Sequence, residues 1–492
     1  MVKLGAKSPY VTSMPNSSRC STCRKPGILK PKPTPTPVDP CPKIPKNPNY
    51  QLCSPWPQFG GCTHINNNWR SSPFSISTFK NTITNVLADS INVGESFESS
   101  PVMDANGIIY CFSASLTGKT ALYSYNPSTK MLKRNDFIGD SINTGESFVS
   151  SPVIDSNGII YCFSFSISQG GTQAGSLYSY NPSTKMLKRN DFSSGSINTG
   201  ESFASSPVID SNGIIYCFSI LISQGVTGTG SLYSYNPSTK MLKRNDFIGD
   251  SINTGESFVS SPVIDSNGII YCFSGSISQG DTGTGSLYSY NPSTKMLKKN
   301  DFSSGSINTG DSFTSSPVID SNGILYCFSF SISQGGTGGS LYSYNPSTKM
   351  LKRNDFIGDS INTGESFESS PVIDSNGIIY CFSELFTGTG SLYSYNPSTK
   401  ILKRNDFSSG SINSGESFQS SPVIDSNGIL YCYSRVNSQT NIGSLYSYNP
   451  STTTLTNISS YKINYSNIFY QSSPLIDSNN NIYYFLANTI PL

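Results

Sequence analysis

The chain has 492 residues, of which 35% are hydrophobic, 12% aromatic and only 13% charged, with a formal net charge of +2. That aromatic content and low charge exclude disorder over most of its length, and no apolar run approaches membrane-spanning length. The small net charge hides an asymmetry. Residues 1–50 carry nine Lys/Arg against Asp39 alone, so a tail of +8 precedes a body of −6.

Residues 1–53 read as a flexible Pro-rich tail, including KPKPTPTPVDPCPKIPKNP, which favours an extended spacer without its own core. Its charge is unopposed at Lys3, Lys7, Arg24, Lys25, Lys30 and Lys32, so an acidic surface or nucleic acid is the partner it would touch. Cys20 and Cys23 form a CxxC pair which, with Cys41 and Cys53, offers four thiolates to zinc. The second pair lacks that spacing, so disulfides or free thiols stand as the alternative. The first residues lack the apolar centre of a secretory signal, and the expectation is a soluble chain.

Residues 54–492 are governed by a repeat. The proline of a Ser-Ser-Pro signature falls at Pro101, Pro152, Pro207, Pro262, Pro317, Pro371, Pro422 and Pro474. Such a period marks a repeat array. Each unit parses into four short strands. ESFxSSPVID is the innermost and ends in an Asp-Ser-Asn-Gly turn. GIIYCFS follows, an apolar run suited to burial on both faces. LYSYNP alternates and is closed by Asn-Pro-Ser-Thr, and KMLKRNDF suits an outer edge, its Lys and Arg discouraging edge pairing. Four strands per unit, repeated radially, predict an all-β propeller. The last unit stops after its second strand, while TFKNTITNVLADSINVGESF near the N-terminus aligns with the end of a unit. The expectation is therefore eight blades, one composite, with N-terminal strands completing the C-terminal blade. After Asn-Asp-Phe the linkers alternate between Ile-Gly-Asp and Ser-Ser-Gly, a two-blade period.

The stretch Trp56-Pro57-Gln58-Phe59-Gly60-Gly61 and the repeated SSPVID…LYSYNP resemble the PQQ-like repeat family of propellers, which includes quinoprotein dehydrogenases and a bacterial outer-membrane assembly lipoprotein. For the enzymes, that resemblance implies pyrroloquinoline quinone and Ca²⁺ on the axis, an Asp base, commonly adjacent cysteines and often a Trp motif in each blade. Here the only tryptophans, Trp56 and Trp69, precede the first full repeat, and no two cysteines are adjacent. The Asn/Ser/Ile/Tyr-rich, near-identical units also resemble PQQ-like repeat proteins of large DNA viruses of amoebae, which implies a virion- or particle-associated structural protein. His64 is the only histidine and no phosphate loop is present. The functional expectation is a non-enzymatic scaffold or interaction propeller without a cofactor, localised to a virion and acting through protein partners or self-assembly. The alternative is a quinoprotein-type oxidoreductase using PQQ and calcium.

Three sets of repeat positions remain as candidates. Cys111 and its copies are expected in the core, and Asp104 and its copies are expected to hold the first turn. Glu95, Glu146, Glu201, Glu256, Asp311, Glu365 and Glu416 suggest an acidic ring, read either as a solvated rim or as a site for cations or a basic partner. The loops after the second strand vary most, together with the residue before Ser-Ser-Pro: Glu98, Val149, Ala204, Val259, Thr314, Glu368 and Gln419. In an up-and-down blade these share one face, the expected interaction surface. If the tail binds polyanions, deleting residues 1–50 removes salt-sensitive retention on heparin while the far-ultraviolet spectrum stays unchanged. Retention that survives the deletion places that binding elsewhere.

Overall fold

The computed structural model describes residues 95–115, 120–167, 174–221, 229–276, 284–331, 338–385, 388–435, 442–463, 472–477, 481–485 and 489–491. Its unit is clear in the third blade, whose strands are Val208–Ile209, Ile215–Phe218, Leu232–Asn236 and Met241–Arg244. They pair antiparallel in sequence order, with Tyr216 opposite Ser234 and Tyr233 opposite Arg244. The first turn closes as its sequence requires. Asp210 Oδ1 accepts the backbone N–H of Asn212 and of Ile214, each at 2.9 Å, and Gly213 takes φ of +77°.

The apolar second strand is buried on both faces because the core lies between blades. Ile215 and Cys217 pack with Val153 and Phe163 of blade two, while Tyr216 and Phe218 pack with Ile264, Ile270 and Tyr288 of blade four. Alternate residues of one strand thus belong to two successive cores. The cysteines take the expected core position. Cys217 is fully buried and its thiol donates to the Ser205 carbonyl oxygen at 3.2 Å.

The linker alternation has a structural meaning. Ile138–Gly139, Ile248–Gly249 and Ile357–Gly358 each add a parallel fifth strand outside the next blade, facing Met186, Met296 and Ile401. The Ser-Ser-Gly linkers make only single bridges, Ser194 to Met241, Ser304 to Met350 and Ser409 to Thr454. Either way the outer edge is occupied.

The described residues form seven four-stranded blades, which corrects the expected eight. The eighth repeat gives only the hairpin of Leu475–Ile476 with Ile482–Tyr483. The chain after that hairpin turns back: Thr489–Pro491 pairs with Tyr461–Ile463 on the outside of blade seven. The N-terminal segment expected to complete a composite blade lies outside the described residues. The hairpin still fills the seam, because Leu475, Ile482 and Tyr483 share one core with Tyr431 and Leu445 of blade seven and with Ile109 and Tyr123 of blade one.

The inner ends are joined by a closed chain of serines. The backbone N–H of Ser100 donates to Ser151 Oγ at 2.9 Å, and the pattern continues through Ser206, Ser261, Ser316, Ser370, Ser421 and Ser473. It closes with Ser473 N–H to Ser100 Oγ at 3.4 Å, across 373 residues of sequence. No helix among the described residues is long and apolar enough to cross a membrane. Replacing Ser206 by Ala leaves the buried N–H of Ser151 without its acceptor and should cost about 1–3 kcal/mol. Urea unfolding that shows no loss of stability would remove the serine ring from the account of closure.

Candidate functional site

The predicted acidic ring is not a rim. Its seven carboxylates are at most 5% exposed, so each must be paired where it sits. Glu146 shows how. Its oxygens accept hydrogen bonds from Ser164 Oγ at 2.7 Å, Ser176 Oγ at 2.8 Å and Tyr178 Oη at 2.9 Å, and Arg189 Nη2 lies at 2.8 Å. Arg134, Arg244, Arg353 and Arg404 likewise pair with Glu95, Glu201, Asp311 and Glu365. The sequence placed both partners at the surface. Register brings them together, because the fourth strand lies beside the third and directs the arginine to the carboxylate. These groups hold each blade to the linker before it and are not free to take a cation or a basic partner. The lysines do line the outer edge: Asp136 pairs with Lys133 of its own blade and with Lys185 of the next blade. Such exposed pairs contribute little individually.

The strand cysteines are free and buried, and burial pushes the Cys217 thiol well above its ordinary pKa, so they are inert as nucleophiles. Cys20, Cys23, Cys41, Cys53 and His64 lie outside the described residues, as do Lys3, Lys7, Arg24, Lys25, Lys30 and Lys32.

What differs between blades is concentrated at their inner ends. Val149, Ala204 and Val259 make an apolar arc over blades two to four, with Val259 39% exposed. Thr314, Glu368 and Gln419 continue it as a polar arc over blades five to seven, and Glu98 stands at the same position in blade one. Backbone register adds a second tier. Phe165, Ile220, Gly275 and Phe330 stand opposite the serine that follows each buried carboxylate, and Ala114, Glu384 and Arg435 take that place in blades one, six and seven. In the sequence, Glu384 and Arg435 show only as the first residues of variable loops.

The structure joins them to the predicted set. Gln419 Nε2 donates to Glu368 Oε2 at 2.8 Å and lies 3.3 Å from both oxygens of Glu384. Arg435 Nη1 bonds Glu384 Oε1 at 2.5 Å. The Glu384 side chain is fully buried and is held by that guanidinium. Burial, then the neighbouring Glu384 charge, pushes the Glu368 carboxyl up to about 7, against the pull of Arg435. Burial alone pushes Glu98 to about 7. Two adjacent carboxyls therefore differ: one is fixed by an ion pair and the other exchanges its proton near neutrality.

No protein-family model and no curated protein matches the chain. Among solved structures it resembles puromycin hydrolase (11% identity, TM-score 0.47, covering 79% of this chain and 55% of that one). It also resembles a puromycin-hydrolyzing peptidase of Mycobacterium tuberculosis (10%, 0.46, 80% and 56%) and the GH74 xyloglucanase of Xanthomonas campestris (12%, 0.48, 74% and 55%). The chain thus spans little more than half the length of each. The fold is a β-propeller. Membership of the PQQ-like family and the viral link are not carried further. The expectation of a non-enzymatic virion scaffold is withdrawn: none of the comparisons supports it, and the hydrolases found, at such identities, assign no activity.

The raised Glu98 carboxyl has a consequence for stability. Its folded pKa exceeds the ordinary 4.5, so the folded state holds the proton more tightly than the unfolded chain. Its stabilisation is complete below pH 4.5 and is lost as pH rises through 7. Glu98→Gln should therefore leave Tm unchanged at pH 4.5 and raise it by roughly 2–4 °C at pH 8. An equal shift at both pH values would contradict this.

Proposed function

We propose that the inner mouth of the propeller is a recognition site for a ligand that joins an apolar body to a basic group. The observation that carries this reading is the Glu368–Gln419–Glu384–Arg435 cluster: Glu368 and Gln419 take the repeat position that Val149, Ala204 and Val259 hold in other blades, and Glu384 and Arg435 take that of Phe165, Ile220 and Gly275. A nearly uniform array has one polarised place. The apolar arc supplies contact area, and Glu368 supplies the charge.

An amine or guanidinium stabilises the ionised form of Glu368 that burial disfavours, so binding strengthens as the carboxyl loses its proton. Glu384 is neutralised by Arg435 and acts as a positioning residue through Gln419. A second reading, proton transfer to or from the bound ligand, is favoured by the same pair, since one carboxyl exchanges its proton near pH 7 beside another paired with Arg435.

The test is calorimetric titration with the blocked dipeptide acetyl-valyl-arginine amide. Affinity should rise about tenfold between pH 6 and pH 8, and Glu368→Gln should abolish that rise and weaken binding at pH 8 by about tenfold. No binding, or binding indifferent to both pH and Glu368→Gln, overturns the proposal.

A further inference from the structure

A second site follows from a cavity far along the blades from Glu368. Between blades two and three lies a groove of about 390 Å³, bordered by Asn143, Ala174, Arg189, Phe192, Ser196 and Ile197. The Ser-Ser-Gly linker creates it. Gly195 has φ of +88°, and a Cβ there would collide with the Leu242 carbonyl of the outer strand. The linker can therefore lie against that strand, with Ser196 and Ile197 turned to the groove.

Its chemistry is selective. Phe192, Ile197 and Ala174 give one apolar wall. The Arg189 guanidinium, 33% exposed, is already balanced by Glu146, so the groove presents donors without net charge. Asn143 uses Nδ2 on Glu146, and the Ser196 hydroxyl is exposed. Donors and acceptors are thus offered together beside an apolar face. An anion is disfavoured by Glu146 and a purely apolar ligand by the polar side. We infer that the groove binds a neutral polyhydroxylated ring, that is, a sugar, with its apolar face on Phe192 and Ile197 and its hydroxyls on Arg189, Asn143 and Ser196.

The two-blade period repeats the linker, with Thr284 and Thr389 where blade two has Ala174. Gly305 and Gly410 have φ of +88° and +87° and the same close approach to Leu351 and Leu455. Phe302 and Phe407 follow in register, with Arg404 in the last copy and Lys299 in the middle one. Lys lacks the planar fork of Arg, so the middle site is the weakest. Weak sites at fixed spacing bind a branched glycan far more tightly than a single sugar.

The experiment is saturation-transfer NMR and calorimetry on the full chain with methyl β-glucoside, methyl β-galactoside and N-acetylglucosamine. At least one should bind with two or three sites per chain. Ser196→Trp, which fills the first groove from an exposed position, should remove one site, and the triple variant with Ser306→Trp and Ser411→Trp should remove all binding at unchanged Tm. Arg189→Lys with Arg404→Lys, milder for the fold, should weaken affinity at least fivefold. Binding of none of the three sugars, or binding undiminished in the triple variant, overturns the inference, and neither result bears on Glu368.

Discussion

Everything in this propeller depends on a buried carboxylate that must never be left alone. In each blade the innermost segment enters with a Glu or Asp at most 5% exposed. Leaving such a charge unpaired would cost several kcal/mol. A tyrosine, in five blades two serines and in five blades an arginine converge on it. These groups come from the second, third and fourth strands, so satisfying one carboxylate fixes the register of a whole blade. The serine chain then couples each blade to the next, and the hairpin of the eighth repeat carries that chain back to blade one.

Such a frame constrains where function can vary. The turns made by Asp210 and its copies and the buried carboxylates are occupied by internal bonds and offer nothing to a ligand. The inner mouth is different. There Gln419 spans from its own blade to Glu368 and Glu384 of the preceding one, and Arg435 closes the group. The stability lost by burying Glu368 and Glu98 is borne by the rest of the ring, a pattern expected where a site is kept ready for a partner group.

The four-strand unit, the Asp-led turns and the core cysteines were legible in the sequence because each rests on local pattern: alternation, a turn tetrapeptide, an apolar run. The buried carboxylates were misread because their surroundings depend on register across three strands, and a Glu next to variable loops has the look of a rim. The blade number was misread for a related reason. Counting Ser-Ser-Pro signatures counts inner strands correctly, but a blade needs a third and a fourth strand, and the last copy turns back to pair with blade seven. Val149, Glu368 and Gln419 stood out as differences between copies, whereas Glu384 and Arg435 gained meaning only once pairing set them opposite Ser366 and Ser417.

The central claim, that the uniform frame holds Glu368 as a proton-exchanging carboxyl at its mouth, is tested most directly by a carboxyl-carbon NMR titration of the full chain, with Glu368 assigned by its Gln variant. The account predicts a midpoint near 7, moving toward 4.5 when Glu384→Gln removes the neighbouring charge. A midpoint already near 4.5 in the unaltered chain would mean that the carboxyl is solvated, and the mouth would then be an ordinary surface.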